Sequence, residues 1–260
     1  MEHLIFIFSL NLAAVILMML IGWLLSLVVK NVTVVDSLWG LGFVMIAWTT
    51  FFLTDGFLGR KLLIAFLVTL WGVRLSTYLT WRNWGKGEDP RYGLWREKSG
   101  KHFWIVSLFK VFLLQAVFLW AISISIQYGV ASKTPEIITR LDVCGLILWG
   151  VGFIFEAVGD WQLAVFKSNP ANKGKVMDRG LWAYTRHPNY FGDSAVWWSF
   201  GIFSVAAGGY WQVIGSVIMT LLIIKVSGVA LLEKSLNETK PQYRDYIQKT
   251  NSFFPWFPKK

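Results

Sequence analysis

From Leu4 to Val29 the chain runs without a single charged side chain, and few structures other than a bilayer-crossing helix use a stretch so long and apolar. In hydrocarbon every backbone amide has to be satisfied within the segment itself, so the run imposes a helix. Further runs of crossing length lie near 37 to 53, 61 to 81, 104 to 130, 140 to 161, 190 to 208 and 210 to 232, the last two parted only by Gly208, Gly209 and Tyr210. With 55% hydrophobic residues and a mean hydropathy of +0.50, the chain is too apolar for an ordinary soluble domain. The first run lacks a basic leader and exceeds the core of a signal peptide, so it is expected to remain as a span.

Charge distribution orients these runs. Lys30, the group Arg82, Lys86, Arg91, Arg96, Lys98 and Lys101, the group Lys167, Lys173, Lys175, Arg179 and Arg186, and the tail set Lys234, Lys240, Arg244, Lys249, Lys259 and Lys260 fall on one side. Only Arg60, Lys61, Lys133 and Arg140 fall on the other, so eighteen basic residues face four, with Arg74, Lys110 and Lys225 inside runs. Basic residues collect on the cytoplasmic side, which predicts an outside amino terminus and a cytoplasmic carboxyl terminus. That requires an odd number of spans. The expected fold is an all-α integral membrane protein, a seven-transmembrane-helix bundle whose cytoplasmic loops close over a cavity. A membrane accounts for the net charge of +10 without nucleic acid. Cys144, the one cysteine, forms no internal disulfide and is expected to pack. No repeat or linker divides the chain, so residues 1–260 are expected as a single polytopic domain.

The polar residues then mark a site. Arg179 to Asp193 reads Arg-Gly-Leu-Trp-Ala-Tyr-Thr-Arg-His-Pro-Asn-Tyr-Phe-Gly-Asp and runs directly into an apolar run. Its cations, with Lys167, Lys173 and Lys175, gather before a helix amino end, where anions bind. Lipid anchoring would also use those cations, but it has no use for Asn189, Tyr190 and Asp193 at fixed spacing. Asn189 and Asp193, four apart, share a helix face.

Ionisable groups within spans are costly and mark cavities or partners. Asp36 opens the second run and reads equally as a helix cap or a site group. Arg74, Tyr78 and Arg82 recur every four residues on one face, and Arg74 reads as a catalytic group or as the partner of Glu156 or Asp36. Glu156 and Asp160 share a face of the fifth run, suited to acid–base work or to holding ribose hydroxyls. His3, His102 and His187 are too scattered for a ligand set, so no metal is expected. No glycine-rich dinucleotide motif or nucleophile motif is present.

The segment Arg186-His187-Pro188-Asn189-Tyr190-Phe191-Gly192-Asp193, preceded by Arg-Gly-Leu-Trp and by Asp160, resembles the membrane reductases of the steroid 5-alpha-reductase type and their sterol-reductase relatives. The resemblance covers about residues 150 to 260 and includes the tail Tyr243, Tyr246 and Phe-Pro-Trp. It implies that Asp160, Arg179, Tyr184, Arg186, His187, Asn189, Tyr190 and Asp193 line NADPH; Glu156, Lys167, Glu233 and Tyr243 are further cofactor-binding candidates of this reading. Residues 150–260 would then be the cofactor half and 1–149 the substrate side. In the amino half Asp36 stands where the family places a Glu, but Trp71 stands at the family's Tyr, leaving Tyr78 or Tyr92 to supply a phenol. The implied activity is NADPH-dependent reduction of a carbon–carbon double bond in a lipid-like substrate (steroid, isoprenoid or fatty-acyl) taken from the bilayer. Asp36, Arg74 and Tyr78 are the catalytic candidates. The alternative is a membrane methyltransferase resembling the isoprenylcysteine carboxyl methyltransferases, which share an Arg-His-Pro-x-Tyr-x-Gly stretch and use S-adenosylmethionine.

Overall fold

The computed structural model describes residues 2–227 and 229–259, and its regular structure is helical, with no strand among the described residues. Lys260 and the side chain of Lys234, both counted above with the basic tail, lie outside the described residues. Among the described residues, five helices are long and apolar enough to cross a membrane. They are α1 (Glu2–Val29), α2 (Val34–Leu53), α3 (Leu58–Asn83), the composite Pro90–Ile122, and α8 (Arg140–Ser168). The composite joins α4 (Pro90–Ser99), α5 (Phe103–Ser107) and α6 (Leu114–Ile122) through a short 3-10 turn and a π-helical stretch; α7 (Ile124–Ala131) follows. The two carboxyl-terminal runs expected to cross instead give α9 (Pro188–Ala206), of 19 residues, and a shorter apolar helix Trp211–Lys225 that contains α10 (Ile214–Leu221). Asn189, Asp193 and three serines, Ser194, Ser199 and Ser204, dilute the apolar character of α9. Two further helices close the chain, α11 (Val229–Thr239) and α12 (Tyr243–Lys249).

The chain forms two compact units. The first comprises Met1–Thr139 with Phe203–Gln212, and the second Arg140–Ile202 with Val213–Lys260. In the first, α2 and α3 cross at glycine on glycine: a Cβ at Gly40 would lie 2.3 Å from the Gly72 carbonyl oxygen, and one at Gly72 would lie 2.6 Å from that of Gly40. Small residues let membrane helices approach to backbone contact. A buried amide network adds polar glue, since Asn11 Nδ2 donates to Thr50 Oγ1 at 2.9 Å and to Gln127 Oε1 at 2.8 Å, joining α1, α2 and α7.

The second unit packs α8 on α9 by the same device. A Cβ on Gly192 would stand 2.3 Å from the Glu156 backbone nitrogen, and one on Gly152 would stand 2.7 Å from the Gly192 carbonyl oxygen. The glycine in Asn-Tyr-Phe-Gly-Asp is therefore a packing requirement. It brings the polar start of α9 against the buried carboxylates of α8.

Candidate functional site

The loop before α9 is laid on α8 by backbone bonds. Gly180 has φ +61°, a conformation that side chains disfavour, and the following amide of Leu181 donates to Gln162 Oε1 at 3.0 Å. Trp182 Nε1 donates to the Gly159 carbonyl at 3.1 Å, and the Tyr246 hydroxyl of α12 donates to the Trp182 carbonyl. These bonds fix the strip that carries Arg186, His187 and Asn189.

Arg186 is the hub of this strip. Its Nε and Nη2 donate to Glu233 Oε1 at 2.9 and 2.7 Å, and its Nη1 donates to the carbonyls of Thr250 at 2.6 Å and Ile247 at 3.3 Å. A guanidinium has five donors, so four are committed to holding α11 and the end of α12 to the loop. Glu233 Oε1 also meets His187 Nε2 at 3.1 Å and accepts from Ser252 Oγ at 3.0 Å. These bonds, the His187 one first and then those of Arg186, hold the Glu233 carboxyl at about 2, well below the usual carboxylate range. Burial pushes the neighbouring Tyr243 phenol up to about 12, with the charge of Glu233 adding to it.

Several polar atoms here are buried without a hydrogen-bond partner, the Tyr243 hydroxyl among them. His187 Nδ1 and Asn189 Oδ1 meet no hydrogen-bonding group, although the His187 side chain is 1% exposed. An orphaned buried polar atom costs roughly 1–3 kcal/mol, and native sites leave such atoms for a ligand or water. Asn189 Nδ2 donates to Asp160 Oδ1 at 3.0 Å, which orients the amide, while Tyr190 stacks on the His187 ring. Glu156 and Asp160 are both buried on α8.

A cavity of about 390 Å³ opens beside this hub. Lys167, Lys173, Lys175, Lys240 and Arg186 contribute to its wall together with Tyr243 and Tyr246, and no carboxylate does so among the described residues. Lys240 Nζ donates to the Lys175 carbonyl at 2.6 Å, tying α11 to the loop that bears two of the lysines. Of the sequence candidates, Lys167, Arg186 and Tyr243 meet at this cavity. Arg179 and Tyr184 are exposed outside its wall, Tyr184 packing edge-on against Phe257.

The catalytic candidates lie in the first unit. Asp89 caps α4 through the Arg91 amide, and its own amide donates to Thr33 Oγ1 at 2.9 Å. Glu88 accepts from the Val32 amide and pairs with Arg96 at 2.7 Å, and that pairing lowers its carboxyl from the ordinary value. The loop is thereby held to the start of α2, and Tyr92 Oη reaches Asp36 Oδ1 at 3.4 Å, with Gln115 Nε2 at 3.5 Å behind it. Tyr92, which the sequence offered as one of two replacements for a missing phenol, is thus the tyrosine brought to Asp36. Tyr78 lies instead between two guanidinium groups, Arg74 at 5.4 Å and Arg82 at 5.8 Å from its ring centroid. Trp71 is a buried packing residue set edge-on against Phe43. A groove of about 650 Å³ runs along α2 and α3, lined by Ser37, Ser76, Thr80, Trp81 and Trp84 among others.

A family model described as "Protein of unknown function (DUF1295)" matches residues 22–250. The chain belongs to the DUF1295 family. An uncharacterized protein of Schizosaccharomyces pombe is 28% identical over 266 aligned positions, which cover 90% of this DUF1295 chain and 75% of the yeast protein. A probable O-methyltransferase of Ustilaginoidea virens, ustE, is 42% identical over 65 residues, which cover 25% of this chain and 22% of that protein. No solved structure matches this DUF1295 chain significantly.

Proposed function

We propose that this DUF1295 chain is a membrane-embedded reductase that uses NADPH to saturate a carbon–carbon double bond in a lipid-like substrate. The observation that carries the reading is the cavity of the second unit, whose wall gathers four lysines and Arg186 and, among the described residues, no carboxylate. Such a wall suits a polyanion. NADPH carries a pyrophosphate and a 2'-phosphate, whereas S-adenosylmethionine, with its sulfonium and ammonium groups, is a net cation that this wall repels. At about 390 Å³ the cavity suits the phosphorylated end of a dinucleotide rather than the whole of it.

In this reading Lys167, Lys173, Lys175 and Lys240 bind phosphate, while Arg186 and Glu233 position the His187 strip. His187 Nδ1 and Asn189 Oδ1, buried and unpaired, supply hydrogen bonds to the ligand. When bound, the cofactor supplies hydride. Within the first unit the Tyr92 phenol, hydrogen-bonded to Asp36, is the candidate proton donor, and Arg74 is the candidate cation for developing negative charge. The hydroxyl- and indole-lined groove on α2 and α3 receives an apolar substrate bearing a polar head. The proposal includes seven spans, with α9 and the helix Trp211–Lys225 as the sixth and seventh, and a cytoplasmic carboxyl terminus that gives the lysines access to soluble cofactor.

The second reading, a methyltransferase using S-adenosylmethionine, is favoured by the likeness to the Ustilaginoidea virens protein. Calorimetric titration of the purified protein with NADPH and with S-adenosylmethionine separates the two. Heat from S-adenosylmethionine alone would overturn the reductase reading.

A further inference from the structure

Phe254, Trp256 and Phe257 are 72%, 68% and 73% exposed, and they lie in no helix and hence in no candidate span. Exposed rings on a lipid-facing helix need no explanation in a membrane protein, but three on a non-helical segment do. The segment is not a loose tail. The Trp256 amide donates to the Tyr184 carbonyl at 2.9 Å and the Lys259 amide to the Lys249 carbonyl at 2.8 Å, while Thr185 Oγ1 donates to the Phe253 carbonyl at 2.9 Å. Phe253 and Phe254 each pack edge-on against Phe191 with ring centroids 6.2 Å apart. Pro255 and Pro258 remove two amide donors and keep the chain from coiling into a helix, so the rings stand out from a fixed backbone.

The charges around the rings identify what covers them. Lys259 in the segment and Lys249, bonded to it through the backbone, are exposed, as is Arg244 on α12, whose exposed acid is Asp245. Aromatic rings settle at the headgroup level of a bilayer, and basic side chains beside them meet lipid phosphates. A protein partner would be expected to meet rings in a packed patch with a polar rim, whereas here the rings are spread along an extended strip edged by cations. We propose that residues 253 to 259 form an interfacial wedge seated in the phospholipid headgroup layer. Ser252 donates to Glu233 and the Thr250 carbonyl accepts from Arg186, so the wedge is continuous with the strip that bears His187. Contact with the bilayer thereby sets the position of that strip.

Spin labels on single cysteines test this without reference to any ligand. In a Cys144→Ser chain, Phe254→Cys and Phe257→Cys are each labelled and placed in nanodiscs of phosphatidylcholine and phosphatidylglycerol, with Glu238→Cys, at an exposed position of α11, as the aqueous control. The proposal expects the ratio of oxygen to nickel-chelate collisions at both wedge positions to exceed the control several-fold. Nickel accessibility equal to the control would place the segment in water. Shielding from both relaxants would mean that protein covers it. Either result overturns the proposal.

Discussion

Replacing Glu233 with Gln removes the one carboxylate that gathers Arg186, His187 and Ser252 on a single oxygen. The carboxyl is held at about 2 against an ordinary value of 4.5, which corresponds to about 3.5 kcal/mol at roughly 1.4 kcal/mol per pH unit. The side chain is 23% exposed, so solvent screening trims this to about 2–3 kcal/mol. An amide still accepts a hydrogen bond but leaves the 7% exposed Arg186 without a counter-charge, which keeps the expected loss near that figure. At roughly 2–4 °C per kcal/mol for a chain of this size, the ligand-free Tm in detergent at pH 7 should fall by about 5–10 °C. The effect carries a pH signature. Because the folded carboxyl titrates below its unfolded value, its contribution is complete above about pH 4.5 and is lost as pH falls toward 2. The melting curve of the wild type should therefore converge on that of Glu233→Gln across this window. Equal melting temperatures at neutral pH, or a constant gap between the two proteins down to pH 2, would refute the hub.

The double substitution Lys173→Ala, Lys175→Ala should weaken NADPH binding by roughly 1.5–3 kcal/mol per lost charged contact and flatten its salt dependence, with little change in the Tm of the ligand-free protein. Tyr92→Phe should leave NADPH affinity intact while slowing turnover about 10²-fold or more, because it removes a proton donor but no cofactor contact; single-turnover kinetics against titration calorimetry separates the two. Reporter fusions after residue 259 and near Lys133 should report opposite faces, and the same face for both would remove the seven-span arrangement.

The apolar runs were legible because bilayer length and apolar composition act locally, and α1, α2, α3 and α8 fall where the hydropathy of the chain puts them. The last two runs were less legible, since Asn189, Asp193 and the serines of α9 weaken the signal of a span. Asp160, Asn189 and Gly192 were read as parts of one motif, but the bond between Asp160 and Asn189 and the close approach of Gly192 to Glu156 became visible only in the structure. Other features depend on partners far away in sequence. Tyr92 reaches Asp36 because Glu88 and Asp89 hold the loop to residues 32 and 33, and Lys240 reaches the cavity through the carbonyl of Lys175. Asn11 and Gln127 are 116 positions apart, so no window along the chain pairs them. The role of Arg186 also needed geometry. The sequence offered it as a phosphate ligand, whereas most of its donors hold the carboxyl-terminal segment in place.

Whether the lysine-lined cavity takes a phosphorylated dinucleotide is tested by paired calorimetric titration of the detergent-purified protein with NADPH and S-adenosylmethionine at two salt concentrations. NADPH should give a saturable isotherm that weakens as salt rises and that Lys173→Ala, Lys175→Ala diminishes, with no heat from S-adenosylmethionine. Saturable binding of S-adenosylmethionine with none of NADPH would contradict the reductase reading.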